Sequence, residues 1–276
     1  MKYCKKCVLP NTRPNLFILK DGICTACHTH KLKPKTNWKD KELAFRKLVT
    51  KIKKKNLFYD CLIPVSGGKD STWQVATAKN YGLSPLAFTY KPVFRTEIGQ
   101  KNINNLKKLG VHHIEYSVNE EVEKKFLTKA FKKFGAVAIP MHMAMWGISH
   151  NLAKMFNIPY IFWGENSARE YGGSKKDLKL KKLDENWIKK YGINFGTKPL
   201  DWIDKDLNKK DLAPFIKMNN KVNKNYPKSI FMGEYFKWDP QITFAFAKKY
   251  GFKFEKKKPK TGIYDYADID DDLISI

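Results

Sequence analysis

Short apolar-rich runs alternate with amphipathic stretches through the middle of the chain. The runs Tyr59–Val65, Pro85–Tyr90, His112–Tyr116 and Pro159–Trp163 have strand length and strand composition. Between and after them the apolar period becomes helical, over Ser71–Tyr81, Ile98–Leu109, Glu120–Phe134 and Met141–Phe156. The first three of these stretches close at Gly82, Gly110 and Gly135, residues suited to a helix C-terminus. An earlier helix is predicted over Trp38–Lys55. Leu43, Leu48, Val49 and Ile52 form its apolar face, and Lys51, Lys53, Lys54 and Lys55 sit where cations suit the dipole. Further helices are predicted at Leu183–Tyr191 and Pro240–Tyr250, and Phe231–Asp239 reads as an aromatic turn.

Strand–helix alternation predicts an α/β fold, a doubly wound parallel sheet with helices on both faces. Right-handed crossovers place the strand-end loops on one edge, where ligands bind in such sheets. The loops after Val65, Tyr90, Tyr116 and Trp163 are therefore expected to share a site. Four regions follow. Residues 1–35 form a small cysteine module, 36–56 a connecting helix, and 57–255 the main domain, with a lysine-rich insertion near 175–210 that could act as a lid. Residues 256–276 read as an acidic tail carrying Asp268, Asp270, Asp271 and Asp272, either solvated or a helix start without its helix.

Length and composition narrow the class. With 276 residues, 42% of them hydrophobic, the chain can bury a sizeable core in one or two domains. It has no apolar run long enough to span a membrane, and Met1–Cys7 lacks the apolar region of a signal peptide, so a cytoplasmic location is expected. The formal charge of +26 invites a nucleic-acid partner. However, the chain carries 49 Lys and only four Arg (Arg13, Arg46, Arg95 and Arg169), and the lysines are spread along it. Arg is the residue favoured for bidentate phosphate and base contacts. A codon-driven, solvated basic surface is favoured over a dedicated RNA face.

Cys4-x2-Cys7 and Cys24-x2-Cys27, 16 residues apart, have the spacing of a four-thiolate zinc site. Two disulfides or free thiols are the alternatives, and disulfides are disfavoured in a reducing compartment. Four thiolates close the coordination sphere, so the zinc is expected to be structural, with His28 and His30 as spare ligands. Cys61 lies inside an apolar run and reads as a packed core thiol.

The most specific stretch is Ser66-Gly67-Gly68-Lys69-Asp70-Ser71-Thr72, directly after the first strand. Glycines and a helix start present free N–H groups, which suits an anion; an ordinary strand-to-helix turn is the bland reading. A Walker loop does not fit, because Ile63 stands where its first glycine belongs and Asp70 follows the lysine. A second polar stretch, Gly164-Glu165-Asn166-Ser167-Ala168-Arg169-Glu170-Tyr171-Gly172-Gly173, follows the Pro159–Trp163 strand. It reads as a substrate or magnesium loop facing the first, or as a surface turn. His142 stands among Met141, Met143, Met145 and Trp146. That stripe reads as core, with His142 a candidate substrate contact.

Ser66–Thr72 resembles the PP-loop of the ATP pyrophosphatases, over roughly residues 57 to 175 of a HUP-like sheet. The resemblance implies that ATP is cleaved to AMP and pyrophosphate and that a carbonyl oxygen is adenylated. It implies ATP contacts from Ser66, Gly67, Gly68, Lys69, Asp70, Ser71, Thr72, Tyr90 and Gly164, with Asp70 helping to hold Mg²⁺. Catalytic roles fall to Lys69, Asp70, Glu165 and Glu170, and substrate contacts to His142, Asn166, Arg169, Tyr171 and Gly172. With the cysteine cluster Cys4-x2-Cys7-Val8-Leu9-Pro10 and with Trp163–Asn166 and Glu170–Gly173, the whole chain looks like the N-acetyl sugar amidotransferases of surface-polysaccharide, O-antigen and flagellin-sugar biosynthesis. Those enzymes turn an acetamido group of a nucleotide-linked sugar into an acetamidino group. No Cys follows the PP-loop and Met1-Lys2 offers no terminal cysteine, so a separate glutaminase is expected to supply ammonia. A tRNA-modifying enzyme of the lysidine-ligase type is the alternative, as is a non-enzymatic partner-binding subunit. The resemblance also implies a further helical segment after Ile263–Ala267, so the C-terminal part of the sugar site is expected to be incomplete.

Overall fold

The computed structural model describes residues 1–12, 16–31, 36–170, 181–218, 227–255 and 264–275. The chain opens with the two cysteine turns, tied by bridges between Tyr3 and Pro10 and between Ile18 and Cys24. Helix α1 (Thr25–Lys31) follows, then α2 (Trp38–Lys53), whose first turn is capped by the Asn37 side chain accepting from the Lys39 N–H. The buried stripe of α2 is Phe45, Val49 and Ile52, and Leu43 is exposed, so the predicted apolar face is rotated. Spacings of four and three residues put those three side chains in one row.

Alternation then proceeds as the pattern predicts: β1 (Cys61–Pro64), α3 (Lys69–Asn80), β2 (Pro85–Tyr90), α4 (Glu97–Lys108), β3 (His112–Tyr116), α5 (Glu120–Phe134), α6 (Ile139–Met155) and β4 (Tyr160–Trp163). After β4 come a short helix α7 (Ser167–Glu170), then α8 (Glu185–Tyr191), β5 (Lys228–Phe231) and α9 (Pro240–Lys249). All five strands pair in parallel in the order β3-β2-β1-β4-β5. Strand β5 escaped the apolar pattern because its first two residues are not buried. Apart from Phe231, which ends the strand, the predicted Phe231–Asp239 turn matches the 3-10 turn Met232–Glu234 and the non-regular residues that follow it up to α9.

Both faces of the sheet are covered, as successive strand residues point to opposite sides. Leu62, Leu86, Phe88 and Ile161 meet α5 and α6 through Phe126, Ala130, Ala144 and Ile148. Cys61, Ile63, Ala87 and Phe162 meet α2, α3 and α4 through Phe45, Val75, Ile103 and Leu106. Cys61 is fully buried, and burial pushes its thiol well up, as a core thiol requires. The strand order runs outward from β1 to β3, then reverses to β4, so the switch point lies between β1 and β4. A crevice opens at such a point, at the carboxyl ends of the strands.

The acidic end of the chain is not a solvated tail. Its residues 269–272 lie along the start of α4: the Thr96 N–H donates to Asp270 O (3.2 Å) and the Asp272 N–H to Phe94 O (3.0 Å). The Thr96 hydroxyl donates to Ile269 O, Asp271 is buried, and Tyr266 stacks on Phe244 at 4.0 Å between centroids. Backbone groups of this segment find partners in the main domain, so its charge does not keep it in solvent.

Candidate functional site

The loop after β1 is fixed from below. Val65 N–H donates to Phe88 O (2.7 Å), and the Thr89 hydroxyl donates to Val65 O (2.8 Å). The chain then turns through Gly67 at φ +97, where a Cβ would also stand 3.1 Å from Gly99 O and 3.3 Å from Ile103. Any other residue is both strained and crowded at this position. Ser66 N–H donates to the Ser71 hydroxyl (2.9 Å) and Gly68 N–H to the Ser66 hydroxyl (3.2 Å), so the loop folds over the start of α3. The cap residue of α3, Gly68, has no side chain to bond the first turn. Among the described residues, the N–H groups of Gly67, Lys69, Asp70 and Ser71 have no partner. Unpaired N–H groups at the positive end of a twelve-residue helix form an anion cradle.

Lys69 and Asp70 follow at once. Lys69 Nζ lies 2.6 Å from Asp70 Oδ2, whereas Asp70 Oδ1 is buried without a partner. Burial raises the Asp70 carboxyl; Lys69 lowers it and Asp268 raises it further. An orphaned carboxylate oxygen beside an anion cradle fits a hard divalent cation. Thr72 is fully buried and its hydroxyl donates to Gly68 O (3.3 Å), so it braces the helix and does not face a ligand.

A cavity of about 410 Å³ opens over this loop. Ser66, Asp70 and Ser71 form one side, and Gly164 and Glu165 after β4 stand across the switch point. Tyr90, His142, Trp146 and Trp163 line the interior, and Trp187 and Tyr191 of α8 close it. The lysine-rich insertion thus supplies a wall of the site. The end of the second loop, with Tyr171 and Gly172, and the start of the insertion, up to residue 180, lie outside the described residues. The loop after Tyr116 does not reach the cavity, because β3 is the edge strand, two strands away from the crevice.

Three polar residues of the second loop stand outside the cavity lining. Asn166 is buried, donating to Glu234 (2.9 Å) and accepting from Trp187 Nε1 (3.0 Å). Arg169 donates to Thr36 (3.0 Å), pairs with Glu234 (3.4 Å) and lies over the Trp38 ring, so it ties the loop to α2. Glu170 sits 3.8 Å from Arg169 Nε and does not line the cavity. Asn166 and Arg169, expected on substrate, bond Glu234, Trp187 and Thr36, and neither they nor Glu170, expected in catalysis, are among the described residues that line the cavity.

His142 does reach the cavity. Its Nδ1 lies 2.9 Å from Ala138 O, an acceptor only, which fixes the proton on Nδ1. Burial lowers its pKa, so the ring is neutral with Nε2 bare. His142 also lines an adjoining cavity of about 450 Å³, with Tyr90, Glu123, Asp268 and Asp271. The Tyr90 hydroxyl donates to Glu123, and burial pushes both groups up.

The four-cysteine cluster assembles separately. All four sulfurs lie within 4.8 Å of one another. Cys7 and Cys24 are 3.6 Å apart, and Cys4 and Cys27 are 4.0 Å apart. A tetrahedron with Zn–S bonds of about 2.3 Å has edges of about 3.8 Å, so the spacing fits zinc. Backbone N–H groups of Lys6 and Cys24 donate to Cys4 Sγ and that of Cys27 to Cys24 Sγ, as thiolates require. His28 bonds Asp21 at 2.7 Å instead of joining the cluster.

No protein-family model matches the chain, and no curated protein matches its sequence. Among solved structures, the NMN synthetase of Francisella tularensis is 16% identical with a TM-score of 0.35, over 49% of this chain. The chain spans only 57% of that protein's length. The NH3-dependent NAD synthetase of Campylobacter jejuni is 15% identical with a TM-score of 0.36, over 65% of this chain and 92% of that one. A predicted subunit of tRNA methyltransferase from Methanocaldococcus jannaschii is 16% identical with a TM-score of 0.33, over 75% of this chain and 81% of that one. Likeness at this level assigns neither family nor substrate. Among the described residues, no helix is long and apolar enough to cross a membrane.

Residues absent from the expected set complete the site. Gln74 is one turn beyond Asp70 on the same face of α3, is buried, and has an unpartnered Oε1 at the cavity wall. That i, i+4 spacing was readable in the sequence. Asp268, Asp270 and Asp271 also line the cavity, which composition alone disguised as a tail. Burial raises Asp270 to about 6, with Asp268 and Asp271 adding repulsion and the Ser66 hydroxyl partly offsetting it. A folded-state value above the unfolded one favours the docked segment at low pH, and that gain is lost as pH rises through about 6. Amide exchange at residues 269–272, corrected for intrinsic rates, should therefore quicken between pH 5 and 7. Equal protection at both values would refute the assignment.

Proposed function

We propose that the chain is a PP-loop ATP pyrophosphatase acting as an amidotransferase, which converts the acetamido group of a nucleotide-linked N-acetyl sugar into an acetamidino group. The observation that supports it most is the loop Ser66–Thr72. Unpaired N–H groups and an orphaned oxygen on Asp70, whose other oxygen pairs with Lys69, belong to a loop that lines an aromatic cavity through Ser66, Asp70 and Ser71. Those groups suit a departing pyrophosphate better than a transferred γ-phosphate, since no Walker loop is present. Magnesium held at Asp70 would offset charge on the leaving group.

In this reading the amide oxygen attacks the α-phosphorus of ATP and pyrophosphate leaves into the cradle. Ammonia then attacks the imidate carbon, and AMP leaves with the former amide oxygen. An unactivated amide is a poor electrophile, so adenylation supplies the leaving group. Lys69 and the first turn of α3 stabilise the charge that gathers on pyrophosphate. Tyr90 and Gly164 bound the nucleotide side, and Glu165 stands opposite the loop. His142 takes a proton from the attacking nitrogen through its bare Nε2, from the wall shared by the two cavities.

Ammonia comes from a separate glutaminase. Of the five cysteines, four belong to the metal cluster and Cys61 is sealed in the core with its thiol pushed up, so none serves as a glutaminase nucleophile. The reaction belongs in the cytoplasm, in the supply of sugars for O-antigen, capsule or flagellin.

The test is incubation with ATP, Mg²⁺, ammonium and UDP- or CMP-linked N-acetyl sugars. Pyrophosphate release and a sugar product in which NH has replaced oxygen are expected. Release driven by tRNA and not by any sugar would overturn the proposal in favour of a tRNA ligase.

A further inference from the structure

Two polar side chains of the cavity wall are buried and unused. Gln74 is 5% exposed and Trp163 8%, and both line the cavity. Among the described residues, neither Gln74 Oε1 nor Trp163 Nε1 has a hydrogen-bond partner. Leaving such atoms unpaired costs stability that an apolar residue of similar shape would recover. The glutamine offers an acceptor and the indole a donor. A ligand that satisfies both presents one C=O and one N–H, as a secondary amide does.

Local packing holds these groups at the switch point between β1 and β4. Trp163 ends β4 and Gly164 follows it. A Cβ at Gly164 would stand 3.0 Å from Gln74 Nε2 and 3.0 Å from the Trp238 ring, although the backbone there is not left-handed. Glycine is needed at 164 for the close approach of the Gln74 carboxamide, not for a turn. Adenine also carries a donor beside an acceptor, but its place is different. Gln74 lies one turn, about 5.4 Å, along α3 from Asp70 of the cradle. A group beside Gln74 is therefore near the α-phosphorus, where the amide reacts, whereas the base stands beyond the ribose.

We propose that Gln74 and Trp163 form the subsite that grips the acetamido group, with the Gln74 carboxamide oxygen accepting from the amide N–H and the Trp163 indole N–H donating to the amide oxygen. This rests on the reading of the chain as an amide-adenylating enzyme. A carbonyl oxygen has two lone pairs, so one bonds the indole while the other attacks the α-phosphorus. As that O–P bond forms and the bond from the α-phosphorus to the pyrophosphate oxygen breaks, the nitrogen lone pair moves into the C–N bond. Positive charge gathers on the N–H, and its bond to Gln74 strengthens. An interaction stronger in the transition state than in the ground state raises turnover and not affinity alone. An O-acetyl group has no N–H and would leave Gln74 unpaired, so the subsite selects amides over esters.

The UDP- or CMP-linked N-acetyl sugars that the parent chain converts are assayed with Gln74→Met and Trp163→Phe, in the presence of ATP, Mg²⁺ and ammonium. Gln74→Met should lower kcat for pyrophosphate release about 10²-fold, the size of one aimed hydrogen bond lost from a transition state, and leave the KM for ATP unchanged. It should melt no lower than the parent, since it replaces an unpaired buried oxygen by an apolar group of similar shape. With an ATP analogue that cannot release pyrophosphate in place, the same sugar should shift the indole N–H resonance of Trp163, identified by its absence from the spectrum of Trp163→Phe. Unchanged kcat in Gln74→Met, a rise in the KM for ATP that accounts for the loss, or an indole resonance that the sugar leaves in place would overturn the subsite. The resonance decides the matter if Gln74→Met does not fold. A parent chain that releases pyrophosphate with none of these sugars would instead sink the amide reading, and the subsite with it.

Discussion

Asp70→Ala should lower pyrophosphate release by at least about 10³-fold while leaving the protein folded, because it removes the group placed to organise charge on the leaving pyrophosphate. Its Oδ2 is held by Lys69 and its Oδ1 faces no partner, so the side chain braces nothing else in the fold. Burial already penalises its charge. The alanine variant should thus melt at or above the parent temperature, a result that separates a chemical role from a structural one. Asp70→Asn is the sharper comparison, since it keeps shape and loses charge. Single-turnover release from both variants, set beside their melting curves, decides the matter. Retained turnover would remove Asp70 from the mechanism. Loss of turnover together with collapse of the fold would make it a structural residue.

The same residue shows what a linear sequence can disclose. Ser66–Thr72 was legible because every element of the cradle is consecutive: strand end, two glycines, helix start and the charged pair. Strands β2 and β3 and helix α5 begin and end where period and glycine place them. Asn166 and Arg169 looked functional in the sequence, yet their side chains bond Glu234 and Thr36, from distant segments. Orientation of that kind is set by tertiary partners and leaves no local period. Asp270 failed for the opposite reason. Charge density predicted solvation, but the main-chain groups of its segment were free to pair with Phe94 and Thr96, more than 170 residues away. Strand β5 shows a third limit, since two of its four residues carry no burial signal.

Zinc removal should unfold the first thirty or so residues and leave the sheet domain standing. Among the described residues, the module's own core is three buried side chains, Cys4, Leu16 and Cys24, and two of these are proposed ligands. So small a core cannot repay the backbone entropy of ordering the segment, so the cross-link must. Zinc held by folded peptides of this kind contributes on the order of 10–16 kcal/mol at neutral pH, which exceeds any apolar term available here. Without a cation the four thiols work against one another. Burial raises Cys4, but donated N–H bonds outweigh this and bring it to about 6, whereas burial and its neighbours push Cys27 up to about 12. A dication lets all four ionise together. Metal analysis should therefore give about one zinc per chain, and Cys24→Ser should abolish it. In that variant amide protection should vanish over residues 1–31 and persist in β1, β2 and β4. The sheet's two cores draw on Phe45, Phe88 and Phe162 and, among the described residues, on none of the cysteine module, which is why the loss should stop at α2. A chain that is metal-free yet protected over residues 1–31 would show that the cysteines hold the module by packing alone.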